Sequence, residues 1–209
     1  MINNFLRNFF DNARMPNGFL GACILKVMNG FGHKYLAEWA FTFIDIQNGD
    51  SILDIGCGGG GNIARLLRLY PASTVNGVDY SPTSISLAKK CNKKGINEKR
   101  CEIRLGNVEQ LCYDAESYDA VTAFETVYYW ENIKQAFKEV HRVLKHSGRF
   151  IIVNGANADG KWIWDAYIDG MHTYSSSELE LLLTDTGFEN IKIMKKAGCD
   201  FLGIVAYKK

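Results

Sequence analysis

A glycine-rich loop that follows a short apolar run constrains the fold of this chain more than any other feature. The run SILDI (51–55) leads directly into GCGGGGN (56–62), after which apolar residues recur at helical spacing. Glycines at 56, 58 and 60 permit a sharp turn and let backbone N–H groups approach a ligand closely. A strand that passes through such a loop into a helix predicts an α/β protein that binds a carboxylate or phosphate at the helix N-terminus.

The pattern after residue 50 extends this prediction to the whole fold. Short apolar runs alternate with amphipathic segments. The apolar runs are SILDI, STVNGVD, CEIRLG, DAVTAF and RFIIVN. Runs that are apolar on both faces indicate a parallel sheet covered by helices on each side. The last two runs, IKIMKK and FLGIVAYK, are separated by AGCD and predict an antiparallel hairpin. The predicted fold class is therefore an open α/β sandwich.

The chain length favours a single domain over residues 1–209. Before residue 50 the spacing is helical, first from Phe19 to Met28 and then from Tyr35 to Phe43. We therefore expect a helical cap at 1–48 and an α/β core at 49–209. Trp162 and Trp164 follow the fifth strand, where aromatic side chains could line a substrate lid.

Composition excludes several functional classes. The formal net charge is +1, whereas proteins that neutralise nucleic-acid phosphates usually carry a strongly basic face. No apolar run approaches the roughly 18 residues that a membrane span needs, and the N-terminal sequence lacks the pattern of a secretory signal. The six cysteines are scattered without zinc-ligand spacing, which favours reduced thiols and no metal site. We expect a cytoplasmic protein with no membrane span and no nucleic-acid partner.

Two acidic residues at strand ends narrow the range of ligands that the glycine loop could bind. Gly56, Gly58 and Gly61 also satisfy the GxGxxG template of dinucleotide-binding proteins, so the loop alone does not identify it. Asp54 stands two residues before Gly56, where a carboxylate would repel a pyrophosphate and attract an ammonium group. Asp79 ends the next strand, where a carboxylate can accept hydrogen bonds from both ribose hydroxyls. Together they favour a zwitterionic adenosine ligand over a dinucleotide.

With these motifs the chain resembles the class I S-adenosylmethionine (SAM)-dependent methyltransferases, and more closely the type 11 subgroup that includes quinone-biosynthesis enzymes. The resemblance runs from about residue 51 to 154 and rests on LDIGCGGGGN, VDYSP, GNVEQL, YDAVTAFETVYYW and EVHRVLKHSGRFIIVN, in that order. It implies a Rossmann-like three-layer sandwich with a mostly parallel seven-stranded sheet. The implied strand order is 3-2-1-4-5-7-6, with strand 7 antiparallel, and the implied cofactor is SAM, with S-adenosylhomocysteine (SAH) as product.

The resemblance also implies which positions hold the cofactor. They are Asp54, Ile55, Gly56, Cys57, Gly58, Gly60, Asp79, Tyr80, Ser81, Asn107, Val108, Ala123, Phe124 and Glu125. In this set the glycine loop would hold the methionine moiety, Asp79 the ribose, and Tyr80 the adenine. Asn107 departs from the acidic residue usual in the family, so the contact to the adenine amine would pass to a neutral carbonyl.

Methyl transfer from a sulfonium needs no protein nucleophile, because the cofactor supplies the activation. The protein must align the acceptor and accept a proton where the acceptor is OH or NH. Four residues are candidates for these roles: Glu125, Tyr128, Tyr129 and His33. For the two tyrosines the alternative is packing, and for His33 it is helix capping.

The sequence thus favours methyl transfer to a small molecule, through an O, N, C or S acceptor, by a monomer or homodimer. The segment FETV after the fourth strand replaces the proline-rich motif of base-amino methyltransferases, which argues against DNA as acceptor. Two alternatives stay open: an NAD(P)-linked oxidoreductase, from the overlapping GxGxxG template, and a SAM-binding protein without turnover.

Overall fold

A computed structural model describes residues 33–157 and 170–209, together with Gly18 and Asp159. The strands in this part are β1 (Ser51–Ile55), β2 (Thr74–Asp79), β3 (Ile103–Leu105), β4 (Tyr118–Phe124), β5 (Leu144–Asn154), β6 (Phe188–Lys195) and β7 (Leu202–Lys208). The helices are α1 (His33–Ala40), α2 (Gly61–Leu69), α3 (Pro82–Cys91), α4 (Lys93–Asn97), α5 (Ile133–Val143) and α6 (Ser176–Asp185), with a 3₁₀ turn at Val127–Tyr129.

The strands form one sheet in the order β3-β2-β1-β4-β5-β7-β6. β1 lies parallel to β2 and β4, and β5 lies parallel to β4. β7 runs antiparallel to both β5 and β6, as the predicted hairpin requires. The strand order and the orientation of β7 confirm the fold class implied by the sequence.

The core has two parts because β5 presents alternate residues to opposite faces of the sheet. Phe150 and Ile152 belong to one apolar cluster, whereas Ile151 and Val153 belong to the other. The first cluster includes Phe137 of α5 and Leu179 of α6. The second includes residues of the helices on the other face, namely Leu36, Leu66 and Ala88. This arrangement is a three-layer α/β/α sandwich.

Two helices begin at the capping residues that the sequence predicts. The Ser81 side chain accepts a hydrogen bond from the Ser84 N–H, and Pro82 takes the first helical position of α3, where no N–H is needed. At the start of α6, Ser175 and Glu178 form a reciprocal capping box. These caps satisfy backbone N–H groups in the first turn of each helix.

The segment after α1 packs directly against the sheet. A Cβ added to Gly203 of β7 would lie 2.3 Å from the Phe43 ring, so the ring occupies the space that a side chain would fill. The predicted helix from Phe19 to Met28 and the proposed lid tryptophans, Trp162 and Trp164, lie outside the described residues. Among the residues that the structure describes, no helix is long and apolar enough to cross a membrane.

Candidate functional site

The glycine loop between β1 and α2 packs too closely for side chains at two positions. Gly56 has φ +68° and Gly60 has φ +78°, both in the left-handed region. A Cβ at Gly56 would lie 2.3 Å from Thr126 Oγ1, and one at Gly60 would lie 2.5 Å from Asn92 Nδ2. The loop can therefore approach β4 and α3 only because these residues are glycine.

Hydrogen bonds join the loop to the end of β2. The N–H groups of Gly56 and Cys57 donate to the Val78 carbonyl at 2.8 and 3.1 Å. The Gly58 N–H donates to Asp79 Oδ2 at 2.8 Å, and the Ser81 N–H donates to Asp79 Oδ1 at 2.9 Å. Burial raises the pKa of Asp79, while these backbone donors lower it. Asp79 thus holds the loop in place and still has lone pairs for a ligand.

A pocket of about 160 Å³ opens at the carboxyl ends of the strands, where sheets of this type bind ligands. Seven lining residues were expected as site residues: Ile55, Gly56, Asp79, Tyr80, Asn107, Val108 and Tyr129. Six were not: Val78, Gly106, Glu109, Thr126, Trp130 and Glu131. Most of the unexpected residues follow β3 or β4, in segments without a glycine motif. Their place in the segments that follow these strands, at the carboxyl edge of the sheet, is the signal that could have identified them.

Asp54 does not lie in the wall of this pocket. Its side chain is 2% exposed, and its Oδ1 accepts a hydrogen bond from the Thr122 hydroxyl at 2.7 Å. Burial raises the pKa of Asp54 to about 7; the Thr122 hydrogen bond opposes the shift and the nearby Asp79 adds to it. In this structure the Oδ1 of Asp54 pairs with a residue of β4, and its attraction for an ammonium group stays a prediction. The carboxylates that line the pocket are Asp79, Glu109 and Glu131.

The adenine-edge candidates Asn107 and Val108 follow β3. The Asn107 side chain is exposed, and its Oδ1 accepts a hydrogen bond from the Glu109 N–H at 3.0 Å. This local bond occupies one lone pair of the carbonyl that was expected to contact an adenine amine. Val108 is buried and supplies an apolar wall.

The structure divides the candidate catalytic residues into two groups. Tyr129 lines the pocket. Glu125 and Tyr128 instead share a hydrogen bond, and Glu125 also accepts one from the Gly155 N–H. Burial, followed by the charge of Glu125, raises the pKa of Tyr128 well above its usual value. The hydroxyl therefore remains protonated at neutral pH, and the pair links the end of β4 to the segment after β5.

The other expected residues fall around the pocket. Cys57, Gly58 and Gly60 belong to the loop, and Ser81 caps α3. Ala123 and Phe124 end β4 and are buried. His33 is the first residue of α1, and its side chain lies outside what the structure describes.

Comparison with known proteins supports the resemblance drawn from the motifs. The sequence profile described as "Methyltransferase domain" matches residues 53–152, the part that carries the glycine loop and strands β1 to β5. Residues 53–152 therefore form a methyltransferase domain. The resemblance drawn from its motifs is thereby confirmed, and so is SAM as its cofactor.

Relatives of the methyltransferase domain act on different small molecules. The 24-methylenesterol C-methyltransferase 2 of Arabidopsis thaliana is 29% identical over 54% of this chain, which spans only 31% of that protein. The demethylmenaquinone methyltransferase of Lactobacillus johnsonii is 27% identical over 86% of this chain and 84% of its own length. Geranyl diphosphate C-methyltransferase from Streptomyces coelicolor A3(2) has a TM-score of 0.73 at 18% identity, covering 93% of this chain and 86% of that one. At that identity the structural likeness shows the fold alone.

The residues of the pocket fit the cofactor of this methyltransferase domain. Asp79 offers carboxylate oxygens to ribose hydroxyls, and Tyr80 is 42% exposed beside it, so its ring is open to a base. The methyltransferase domain also differs from a dinucleotide-binding fold, because the antiparallel β7 stands between β5 and β6. The NAD(P)-linked alternative is set aside on these grounds.

Proposed function

We propose that this chain transfers a methyl group from SAM to a small molecule bound next to Tyr129. The observation that carries the proposal is the pocket at the strand ends, which is lined by Asp79, Tyr80 and Tyr129 together. The named substrates of the relatives support the class of acceptor, since they are a sterol and a demethylated menaquinone. The atom that receives the methyl group is an O, N, C or S atom of such a molecule.

The chemistry divides between the cofactor and the chain. The bound cofactor supplies an activated methyl group. The chain's own residues hold the reactants together: Asp79 binds the ribose, Thr126 and Trp130 exclude water, and Tyr129 orients the acceptor. The Glu125–Tyr128 pair lies beside this wall, where Glu125 can accept a proton if the acceptor is OH or NH.

Calorimetry with the full chain tests cofactor binding first. We expect both SAM and SAH to bind, and Asp79→Asn to weaken SAM binding at least about tenfold, because an amide replaces a ribose acceptor with a donor. Glu189→Gln on the far edge strand β6 is the matched control and should leave SAM affinity unchanged. Absence of binding at millimolar SAM would contradict the proposed function.

Mass spectrometry then tests transfer. The wild-type chain is incubated with SAM and, in separate reactions, with a demethylated quinone, a sterol, a prenyl diphosphate, and small phenols, thiols and amines. We expect SAH and one product 14 mass units heavier, within about 0.1 unit, in at least one reaction. SAM binding without any product across the panel would favour the alternative of a non-catalytic SAM-binding protein.

A further inference from the structure

One wall of the pocket belongs to a segment outside the regular helices and strands. Residues 106–109 line the pocket, and the segment continues to Tyr113. Val108 and Leu111 are buried within it. Backbone N–H and C=O groups of such a segment still need partners, because an unpaired buried group costs free energy. The position of this wall therefore depends on what the rest of the chain offers to its backbone.

Two side chains of α5 bind the backbone of this segment. Glu139 Oε2 accepts a hydrogen bond from the Leu111 N–H at 2.8 Å. Arg142 donates to the Leu111 carbonyl at 3.0 Å and to the Tyr113 carbonyl at 2.8 Å. Both polar backbone groups of Leu111 are thus satisfied by side chains of one helix. We call Glu139 and Arg142 the α5 clamp.

The two residues of the α5 clamp also hold each other in place. Arg142 Nε donates to Glu139 Oε1 and Arg142 Nη2 donates to Glu139 Oε2, both at 2.8 Å. A bidentate pair of this kind fixes direction as well as distance. The hydrogen bond from Arg142, and after it the one from the Leu111 N–H, lowers the pKa of Glu139. The carboxylate is therefore ionised at neutral pH, and it can bind both donors at once.

The same helix is continuous with a second wall of the pocket. Residues of the segment 126–131 line the pocket, and this segment leads into α5 through its N-cap, Asn132. The Asn132 N–H donates to Glu109 Oε1 at 2.9 Å, and Gln135 Nε2 donates to the Glu109 carbonyl at 3.3 Å. α5 thus binds the wall at 106–109 at its near end through Glu109 and farther along through the clamp. The position of one wall relative to the other is therefore set by α5.

We propose that Glu139 and Arg142 are positioning residues for the cofactor, which hold the wall after β3 at the distance from the wall after β4 that SAM requires. The inference rests on the proposed function. Neither residue is among the described residues that line the pocket, so the clamp acts through the wall and not by contact with the ligand. A wall that is not held in advance must be ordered when the ligand binds, and this ordering costs affinity. Asp79 and Tyr80 line the same pocket, so the loss falls on the adenosine part of the ligand.

Calorimetry on the full chain tests the proposal with two ligands, SAH and 5′-methylthioadenosine, which keeps the adenosine but lacks the amino-acid end. Glu139→Ala should weaken the binding of both by the same factor, about tenfold, because the clamp acts on the adenosine side. Glu139→Gln keeps an acceptor for the Leu111 N–H, so it should restore most of this loss and weaken both only about threefold. Lys138→Ala, at an exposed position of the same helix, is the matched control and should change neither affinity.

Hydrogen exchange read by mass spectrometry follows the wall itself. Without ligand, residues 106–113 should exchange at least about fivefold faster in Glu139→Ala than in the wild-type chain, because the Leu111 N–H has lost its acceptor. Saturating SAH should restore most of the protection, since the bound ligand orders the wall. Lys138→Ala should exchange like the wild-type chain in this segment.

The outcomes separate this inference from the proposed function. If the wild-type chain binds neither SAM nor SAH, the proposed function fails and the inference fails with it. If SAH binds the wild-type chain and Glu139→Ala equally well, the clamp has a structural role only and the inference alone is overturned. A loss of affinity for SAH without a loss for 5′-methylthioadenosine would overturn it as well. Should Glu139→Ala not fold, as judged by circular dichroism, Arg142→Lys decides: it keeps the charge but not the bidentate geometry, and it should weaken both ligands.

Discussion

At the residue scale, two aspartates show how different surroundings give the same type of side chain different contacts. Asp54 and Asp79 lie on neighbouring strands, β1 and β2. Asp54 has the Thr122 hydroxyl as partner and is almost fully buried, whereas Asp79 accepts two backbone N–H groups and lines the pocket. Burial makes ionised Asp54 costly, and its hydrogen bond to Thr122 joins β1 to β4.

Asp54→Asn should make unfolding stability less dependent on pH. The pKa of Asp54 is about 7 in the folded chain against 3.8 in the unfolded one, so between these values the folded chain holds a proton that the unfolded chain has released. Wild-type stability therefore falls as pH rises from about 4 to about 7, and by a few kcal/mol at most. Asparagine does not titrate and can still accept the Thr122 hydrogen bond.

Urea unfolding at several pH values measures this effect. The stability of Asp54→Asn relative to the wild-type chain should rise between about pH 4 and 7 and level off above that. Thr122→Val is the companion variant: it removes the hydroxyl that favours the ionised form, so the loss of stability with rising pH should continue to a higher pH than in the wild-type chain. A stability difference that stays constant across the range would show that Asp54 titrates normally.

At the scale of single elements, residues close together in the sequence determine where the helices begin. The turns between elements depend on contacts that no local sequence pattern reveals. The caps at Ser81 and Ser175 involve partners three residues away, so the sequence alone reveals them. The 3₁₀ turn at Val127–Tyr129 has no such signal. It returns the chain so that Thr126 and Trp130 reach the pocket wall, and the Trp130 indole N–H donates to Thr126 Oγ1 at 3.2 Å.

Ser175→Ala should lower the free energy of unfolding by about 1 kcal/mol, because it removes the capping box of α6. α6 packs against β6 and α5 and contributes no residue to the pocket wall, so SAM affinity should be unchanged. Glu178→Gln keeps a side chain that can complete the box and should cost less. Urea unfolding and calorimetry check both statements; a loss of SAM affinity in Ser175→Ala would show that α6 is coupled to the site.

On the scale of the whole molecule, β5 joins the two apolar clusters, and we expect them to unfold as one cooperative unit. Adjacent residues of β5, Phe150 and Ile151, face opposite clusters and are both fully buried. Phe150 contacts the rings of Phe137 and Trp130 at centroid distances of 5.5 and 6.3 Å. Because one strand supplies both layers, neither layer can separate without disrupting β5.

Phe150→Ala should therefore destabilise the chain by about 3–5 kcal/mol and Ile151→Ala by about 2–5 kcal/mol, each within a single unfolding transition. Thermal unfolding followed by tryptophan fluorescence and by far-ultraviolet circular dichroism tests this, and the two curves should coincide for each variant. Tyr35→Ala, a change at an exposed ring, is the control and should cost far less. Two separate transitions would show that the faces fold independently.

The sequence by itself determined the order of strands and helices, the glycine loop and the cofactor class. Hydrophobic periodicity, capping residues and a contiguous motif are local features, so they can be recognised without knowing what packs against them. The antiparallel hairpin was visible for the same reason, because its two strands are neighbours in the chain. The family resemblance supplied the position of that hairpin within the sheet.

Only the tertiary structure decided what surrounds each site residue. Asp54 meets Thr122, 68 residues away, because β1 and β4 are adjacent in the sheet, and no local pattern reveals that contact. Glu109 and Glu131 join Asp79 because the segments after β3 and β4 converge at one edge. Burial, pKa and pocket walls depend on residues far apart in the chain, which no local pattern brings together.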